Sequence, residues 1–168
     1  MRPLFIAALG PLCATGLLLL AGCNDATHDM QVAALGGEDP SVPKGPLHRP
    51  GQPCLVCHGG QGPASSQFSI GGTIYLANDS QMPASGATID VEDINGSVGT
   101  TTSNEAGNFY IQASQWQPTY PTLPSVSLGN MVQPMSTHVG REGSCAHCHA
   151  DPQGPTSVGH IWLQNNRV

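Results

Sequence analysis

The chain has 168 residues with 15 Pro, 21 Gly, 10% charged and 5% aromatic residues, which fits one small, loop-rich domain with extended tails rather than two full cores. Long helical periodicity is absent, so an all-α bundle held by packing alone is excluded and burial must be assisted. A formal net charge of −6 without a basic patch excludes binding to nucleic acid or anionic lipid by charge, because nothing is present to neutralise phosphates.

Residues 1–22, within "MRPLFIAALGPLCATGLLLLAGC", have a short basic start, an apolar run and small residues before Cys23, the layout of an export signal peptide. Leu20-Ala21-Gly22-Cys23 resembles the bacterial lipoprotein box, which implies that Cys23 carries lipid and becomes the mature N-terminus. The alternative is an uncleaved anchor, since Pro3 to Gly22 is nearly long enough to span a bilayer. Either places the body outside the cytoplasm. The expected location is the bacterial cell envelope, at the outer membrane, periplasmic or surface-facing, with Asn24 after the lipidated cysteine compatible with outer-membrane sorting. Loss of Arg2 leaves four basic residues against eleven acidic ones, a formal balance of −7.

Residues 23–47 are polar and interrupted by Gly and Pro, which predicts a flexible tether. Residues 48–66 hold "CLVCH" at 54–58, flanked by so much Gly and Pro that only a turn or one helical turn fits. From residue 67 the period becomes two. Phe68, Ile70, Ile74 and Leu76 alternate with polar or small residues, as do Ala87, Ile89 and Val91, predicting half-buried strands. Asn95-Gly96 predicts a hairpin with a type I′ turn. "GSVGTTTS" reads as the return strand, Asn104–Gly107 as a turn, and "NFYIQA" as the next strand. "PSVSLGN" and "MVQPMSTHV" add one or two more, with their prolines suggesting edge positions.

The run from "GGTIYLA" to "NEAGNFYI" resembles the carboxypeptidase-regulatory-like domains of extracellular bacterial proteins, small Greek-key sandwiches of the transthyretin-like type. Gly72-Thr73-Ile74-Tyr75, Pro83 to Ala87 and Thr101 to Phe109 carry the likeness. It implies a non-catalytic scaffold across residues 67–137. The expected fold is therefore mainly β, a small Greek-key β-sandwich flanked by irregular, cysteine-bearing segments at 48–66 and 138–168.

Those segments carry the chemistry. "CLVCH" at 54–58 and "CAHCH" at 145–149 are both C-x-x-C-H, the attachment motif of c-type haem. Thiols three positions apart reach the two vinyl groups on adjacent porphyrin edges, and the next histidine falls beneath the iron. Cys54 and Cys57 would then hold one haem with His58 as proximal ligand, and Cys145 and Cys148 a second with His149. Only these motifs resemble dihaem and multihaem c-type cytochromes. A zinc ribbon separates its knuckles by about 15–20 residues, whereas 87 residues lie between Cys57 and Cys145. A thioredoxin-like pair needs a βαβ context, and none is visible. Two plain disulfides remain open in an oxidising compartment, although histidine is 7 of 168 residues and chance places it after both pairs about 0.2% of the time.

The sixth iron ligand separates an electron carrier from a haem that binds small molecules. His48 lies six residues before Cys54 and His138 seven before Cys145, so both are expected as distal ligands. A crossed arrangement, His138 over the first haem and His48 over the second, would bring the chain ends together. His160 is the rival ligand. Met82, Met131 and Met135 are further thioether candidates, although methionines on strands ordinarily pack. His147 points away from its own box and His28 lies in the tether.

The functional expectation is a membrane-anchored dihaem c-type cytochrome that passes single electrons between redox partner proteins outside the cytoplasm, a carrier more than an enzyme. The alternatives are a haem enzyme, reductase or peroxidase-like, with one open iron, and a binding β-module stabilised by haem. The expected partners are redox proteins and the membrane through its lipid, with no nucleic acid. Self-association is left open by the near-repeated flanks. No catalytic acid-base pair, nucleophile arrangement or phosphate loop is detectable.

Overall fold

The computed structural model describes residues 25–42, 44–151 and 153–164. The segment expected to be a signal peptide, the expected lipid site Cys23 and Asn24 lie outside the described residues.

The chain is mainly β. Among the described residues seven strands run in order: β1 (Phe68–Ala77), β2 (Thr88–Asp93), β3 (Val98–Thr102), β4 (Asn108–Gln112), β5 (Thr122–Leu128), β6 (Met131–Pro134) and β7 (Ile161–Gln164). The described helices are α1 (Ala26–Ala34) and α2 (Cys54–His58), with a 3-10 turn at Cys145–His147. Strands β4-β1-β7 form one sheet and β3-β2-β5-β6 the other. Ile70, Ile74, Ile89, Val91, Phe109 and Val126 join in one buried core, giving a small β-sandwich. Each fully buried aliphatic side chain contributes roughly 1.5–3 kcal/mol, and Ile74, Ile89 and Val91 are essentially inaccessible.

Alternation predicts β2 well: Ile89 and Val91 are buried while Glu92 is exposed. Strand β1 departs from it, being buried from Ile70 through Tyr75 on both faces. One face meets the opposing sheet, and the other is covered by the segment around α2.

The hairpin at Asn95-Gly96 forms with a different turn. Gly96 has φ +78 and Asn95 is not in the left-handed region, so the two positive φ values of a type I′ turn are absent. Gly96 N–H donates to Asp93 O and Asp93 N–H to Ser97 O, both at 2.9 Å. This is the wider loop in which a single glycine supplies the left-handed step. The Asp93 side chain fixes it, accepting from Asn95 N and Ser97 N at 2.9 Å.

Strand β6 is an edge strand as its proline suggests, but β5, with Pro124, is interior. Met135 N–H donates to Pro124 O, so the polar groups of Pro124 face the end of the β6 ladder. The missing donor therefore leaves the pairing with β2 intact.

Two further differences concern the flanks. Part of the expected tether is helix α1, started by Asp25, whose carboxylate accepts from Thr27 N and His28 N at 3.1 Å. Its far end is held by Arg49, which donates to Leu35 O at 3.0 Å and Gly36 O at 2.6 Å. The C-terminal segment is not an appendage either, because β7 pairs in parallel with β1 through Ile74, Tyr75 and Ala77 and completes the smaller sheet.

Candidate functional site

Each C-x-x-C-H box folds as one helical turn. In the first, Val56 N–H bonds Pro53 O and Gly59 N–H bonds Leu55 O. In the second, Cys148 N–H and His149 N–H both bond Cys145 O. Residues three and four apart on a helical turn share a face, so each pair of thiols and the following imidazole point the same way. All four cysteines are free thiols. The boxes lie on opposite faces of β1, where the Cβ of a residue at 71 would stand 3.1 Å from Cys54 Cβ and that of a residue at 72 would stand 2.9 Å from Cys145 Cβ.

The first box opens on a cavity of about 490 Å³ bordered by His48, Cys54, Cys57, His58, Phe68 and Tyr110. The His58 ring stacks on Phe68 at 4.1 Å, which stacks on Tyr110 at 4.3 Å. Its Nδ1 pairs with Ser66 O at 2.8 Å. His48 faces it across the cavity with ring centroids 5.9 Å apart, and Nδ1 of His48 pairs with Gly45 O. Both imidazoles thus keep Nε2 for another partner, as metal-ligating histidines do when a carbonyl orients the opposite nitrogen. Two imidazoles sharing one metal ion at about 2 Å each need roughly this separation.

The His48 loop is fixed by buried polar groups. Asn108 Nδ2 donates to His48 O at 2.9 Å and Pro46 O at 3.2 Å. Thr73 Oγ1 donates to Asn108 Oδ1 at 2.7 Å and accepts from Gly51 N–H at 2.8 Å. Sequence reasoning missed this quartet, together with Phe68 and Tyr110 as supports of His58. Outward-facing Thr and Asn on a strand carry no mark until the covering loop is known.

The second box opens on a cavity of about 630 Å³ between the sheets, bordered by Ile89, Phe109, Val126, Met135, Cys145 and His149 among others. Nδ1 of His149 pairs with Gly159 O at 2.9 Å, again leaving Nε2. Glu142 shapes the turn by accepting from Ser144 N–H at 2.6 Å and pairing with His147. Two hydroxyls on this cavity, Thr122 Oγ1 and Ser144 Oγ, are buried without a hydrogen-bond partner. Burial pushes the Cys145 thiol up to about 12, with the nearby Cys54 and Glu142 charges adding to it, and burial likewise raises Cys54 to about 11. Both first cysteines of the boxes are therefore protonated, enclosed thiols at neutral pH, although neither residue as a whole is fully buried.

The other candidates are dispersed. His138 is exposed and borders neither cavity. His160 borders the second cavity, but Nε2 lies 3.0 Å from Ala77 O and Nδ1 3.6 Å from Asp151 Oδ2. His48 faces its own box, so the crossed arrangement is not the one present. His147 is exposed and paired with Glu142, and His28 sits on α1 with a buried, unpartnered Nε2. Met131 packs against the core, Met82 is exposed and Met135 borders the second cavity. Among the described residues no group of three or more His, Cys, Asp or Glu converges on a point, and no helix is long and apolar enough to cross a membrane. The two cysteine pairs face different cavities rather than a common zinc ion.

No family model, curated protein or solved structure matches the chain. The site therefore rests on its own donor set, and that set fits two c-type haems: free thiols at the required spacing, carbonyl-oriented imidazoles, and two apolar cavities within the roughly 300–1,000 Å³ range of small-molecule sites.

Proposed function

We propose that the protein is a dihaem c-type cytochrome, lipid-anchored at Cys23 in a bacterial envelope, which passes single electrons between redox partners. The observation that carries this reading is that each C-x-x-C-H turn presents both thiols and its imidazole to a cavity of its own. Cys54 and Cys57 would hold the first haem, with His58 and His48 supplying imidazoles to its iron. Cys145, Cys148 and His149 hold the second.

Haem supplies the one-electron chemistry. The chain orients it and limits water. Ser66 O and Gly159 O set the tautomer of the two proximal imidazoles by taking Nδ1–H, which also strengthens them as donors. Phe68 and Tyr110 fix the His58 ring plane. Asn108 and Thr73 hold the His48 loop at its distance. The sandwich serves as a scaffold, as its resemblance to carboxypeptidase-regulatory-like modules suggests.

The experiment is the intact mass of the denatured protein, made in a periplasm with a haem-attachment system, with its oxidised and reduced spectra. Two added haem masses and low-spin spectra are expected. A folded protein without added haem, from a competent host, would overturn the reading and return the cysteines to zinc or disulfides.

A further inference from the structure

We infer that Met135 is the second axial ligand of the haem held by Cys145 and Cys148, so that this haem is His/Met-ligated while the first is bis-histidine. The inference rests on the dihaem reading and deepens it.

Few side chains able to ligate iron border the second cavity. Cys145 and Cys148 are consumed as thioethers, and His149 is the proximal ligand. Glu142 has one carboxylate oxygen on Ser144 N–H and the other on His147. His160 has carbonyl and carboxylate oxygens at its two ring nitrogens and packs against Tyr75 at 4.4 Å. Freeing Nε2 would break its contact with β1, and freeing Nδ1 its pairing with Asp151. His138 lies between Thr137 and Val139, which both border the cavity while His138 itself is exposed. The chain bends at Ser136 and Thr137, and His138 is left on the solvent side of that bend.

Met135 is the donor left. It follows β6, on which Met131 and Gln133 are half-buried while Val132 and Pro134 are exposed. Met135 continues the inward row. Its N–H is anchored on Pro124 O at 2.9 Å, which fixes the backbone at the cavity edge while the unbranched side chain stays adjustable. It also follows directly on β6, in the sheet opposite the one that carries Gly72, against which Cys145 packs. Met135 and His149 thus border the same cavity from different elements, one following β6 and the other following the turn packed on β1. A thioether favours the reduced iron relative to a second imidazole, raising the potential. The two haems are thus unequal, and the one between the sheets takes up the first electron.

The test uses the loaded full-length protein, with haem counted by intact mass in every sample. Ferric iron with a thioether ligand has a weak far-red absorption band that bis-imidazole iron lacks. Expected are two haems per chain, the far-red band in the unaltered protein, and loss of that band in Met135→Leu with two haems retained. Carbon monoxide binding should rise from none to one per chain. Met135→His should instead restore a closed, low-spin site without the band and shift the higher of two reductive midpoints downward. His160→Gln should leave the band unchanged. Two haems without a far-red band in the unaltered protein, a band that survives Met135→Leu, or a band lost in His160→Gln would each overturn the inference while leaving the dihaem reading in place. No added haem would overturn the dihaem reading itself and this inference with it.

Discussion

Gly71 and Gly72 are consecutive residues that turn their missing side chains to opposite faces of β1, so that each lies against the first cysteine of a different C-x-x-C-H box. Adjacent strand residues point to opposite faces, and here that property sets two boxes, 87 residues apart in sequence, on the two sides of one strand.

Replacing Gly72 by Ala should therefore disturb the second box selectively. The new Cβ would stand 2.9 Å from Cys145 Cβ and 2.9 Å from Phe109 Cζ, and overpacking of this kind costs about 1–3 kcal/mol. Gly71→Ala, at 3.1 Å from Cys54 Cβ, should cost less. Denaturant melts should rank the two in that order, and the reverse ranking would contradict the packing described.

His48→Ala should leave two attached haems by mass but open the first iron, so that one carbon monoxide binds per chain. A spectrum unchanged by the substitution would remove His48 from the axial position.

Asn108→Ala removes three hydrogen bonds that join β1 and β4 to the His48 loop. A buried polar group left without its partner costs about 1–3 kcal/mol, and urea unfolding should show a loss of that size. Thr73→Val, which breaks the same chain at its middle, should act non-additively with it. Strict additivity would mean that the two residues do not work as a unit.

Asp93 gives a pH signature. Hydrogen bonds from Thr119 N foremost, then Ser97 N and Asn95 N, hold its carboxyl below the ordinary 3.8, with burial opposing. A depressed folded pKa contributes stability that is present above the unfolded value and is lost as pH falls through the folded one. Asp93→Asn should therefore be less stable near neutrality, and the gap to the parent should shrink at pH values below 3.8. A gap constant across the acid range would show that the charge plays no part in the turn.

Much of the sandwich was legible because β1 to β6 carry a period of two or clear turn residues. Strand β7 was not, since "IWLQ" is four residues long and its partner is the first strand, a pairing no local pattern encodes. Helix α1 was hidden by the polar texture of its segment, and its order depends on Asp25 and on Arg49 from beyond a glycine-rich loop. The boxes were readable because two thiols and an imidazole at fixed spacing are a local feature. The distal side was not, because whether His48, His138, His160 or Met135 faces a cavity is decided by loop packing and by strand alternation relative to a wall that forms only in the folded chain.

The parallel pairing of β7 with β1 bears on how the protein is made. Strand β7 lies C-terminal to both boxes, and its Ile161 and Trp162 border the same cavity as Cys145, so the docking of β7 narrows access to that thiol. On the dihaem proposal, a group joined at the second box would enter more easily before β7 docks, whereas access to the first box, on the other face of β1, does not depend on that strand.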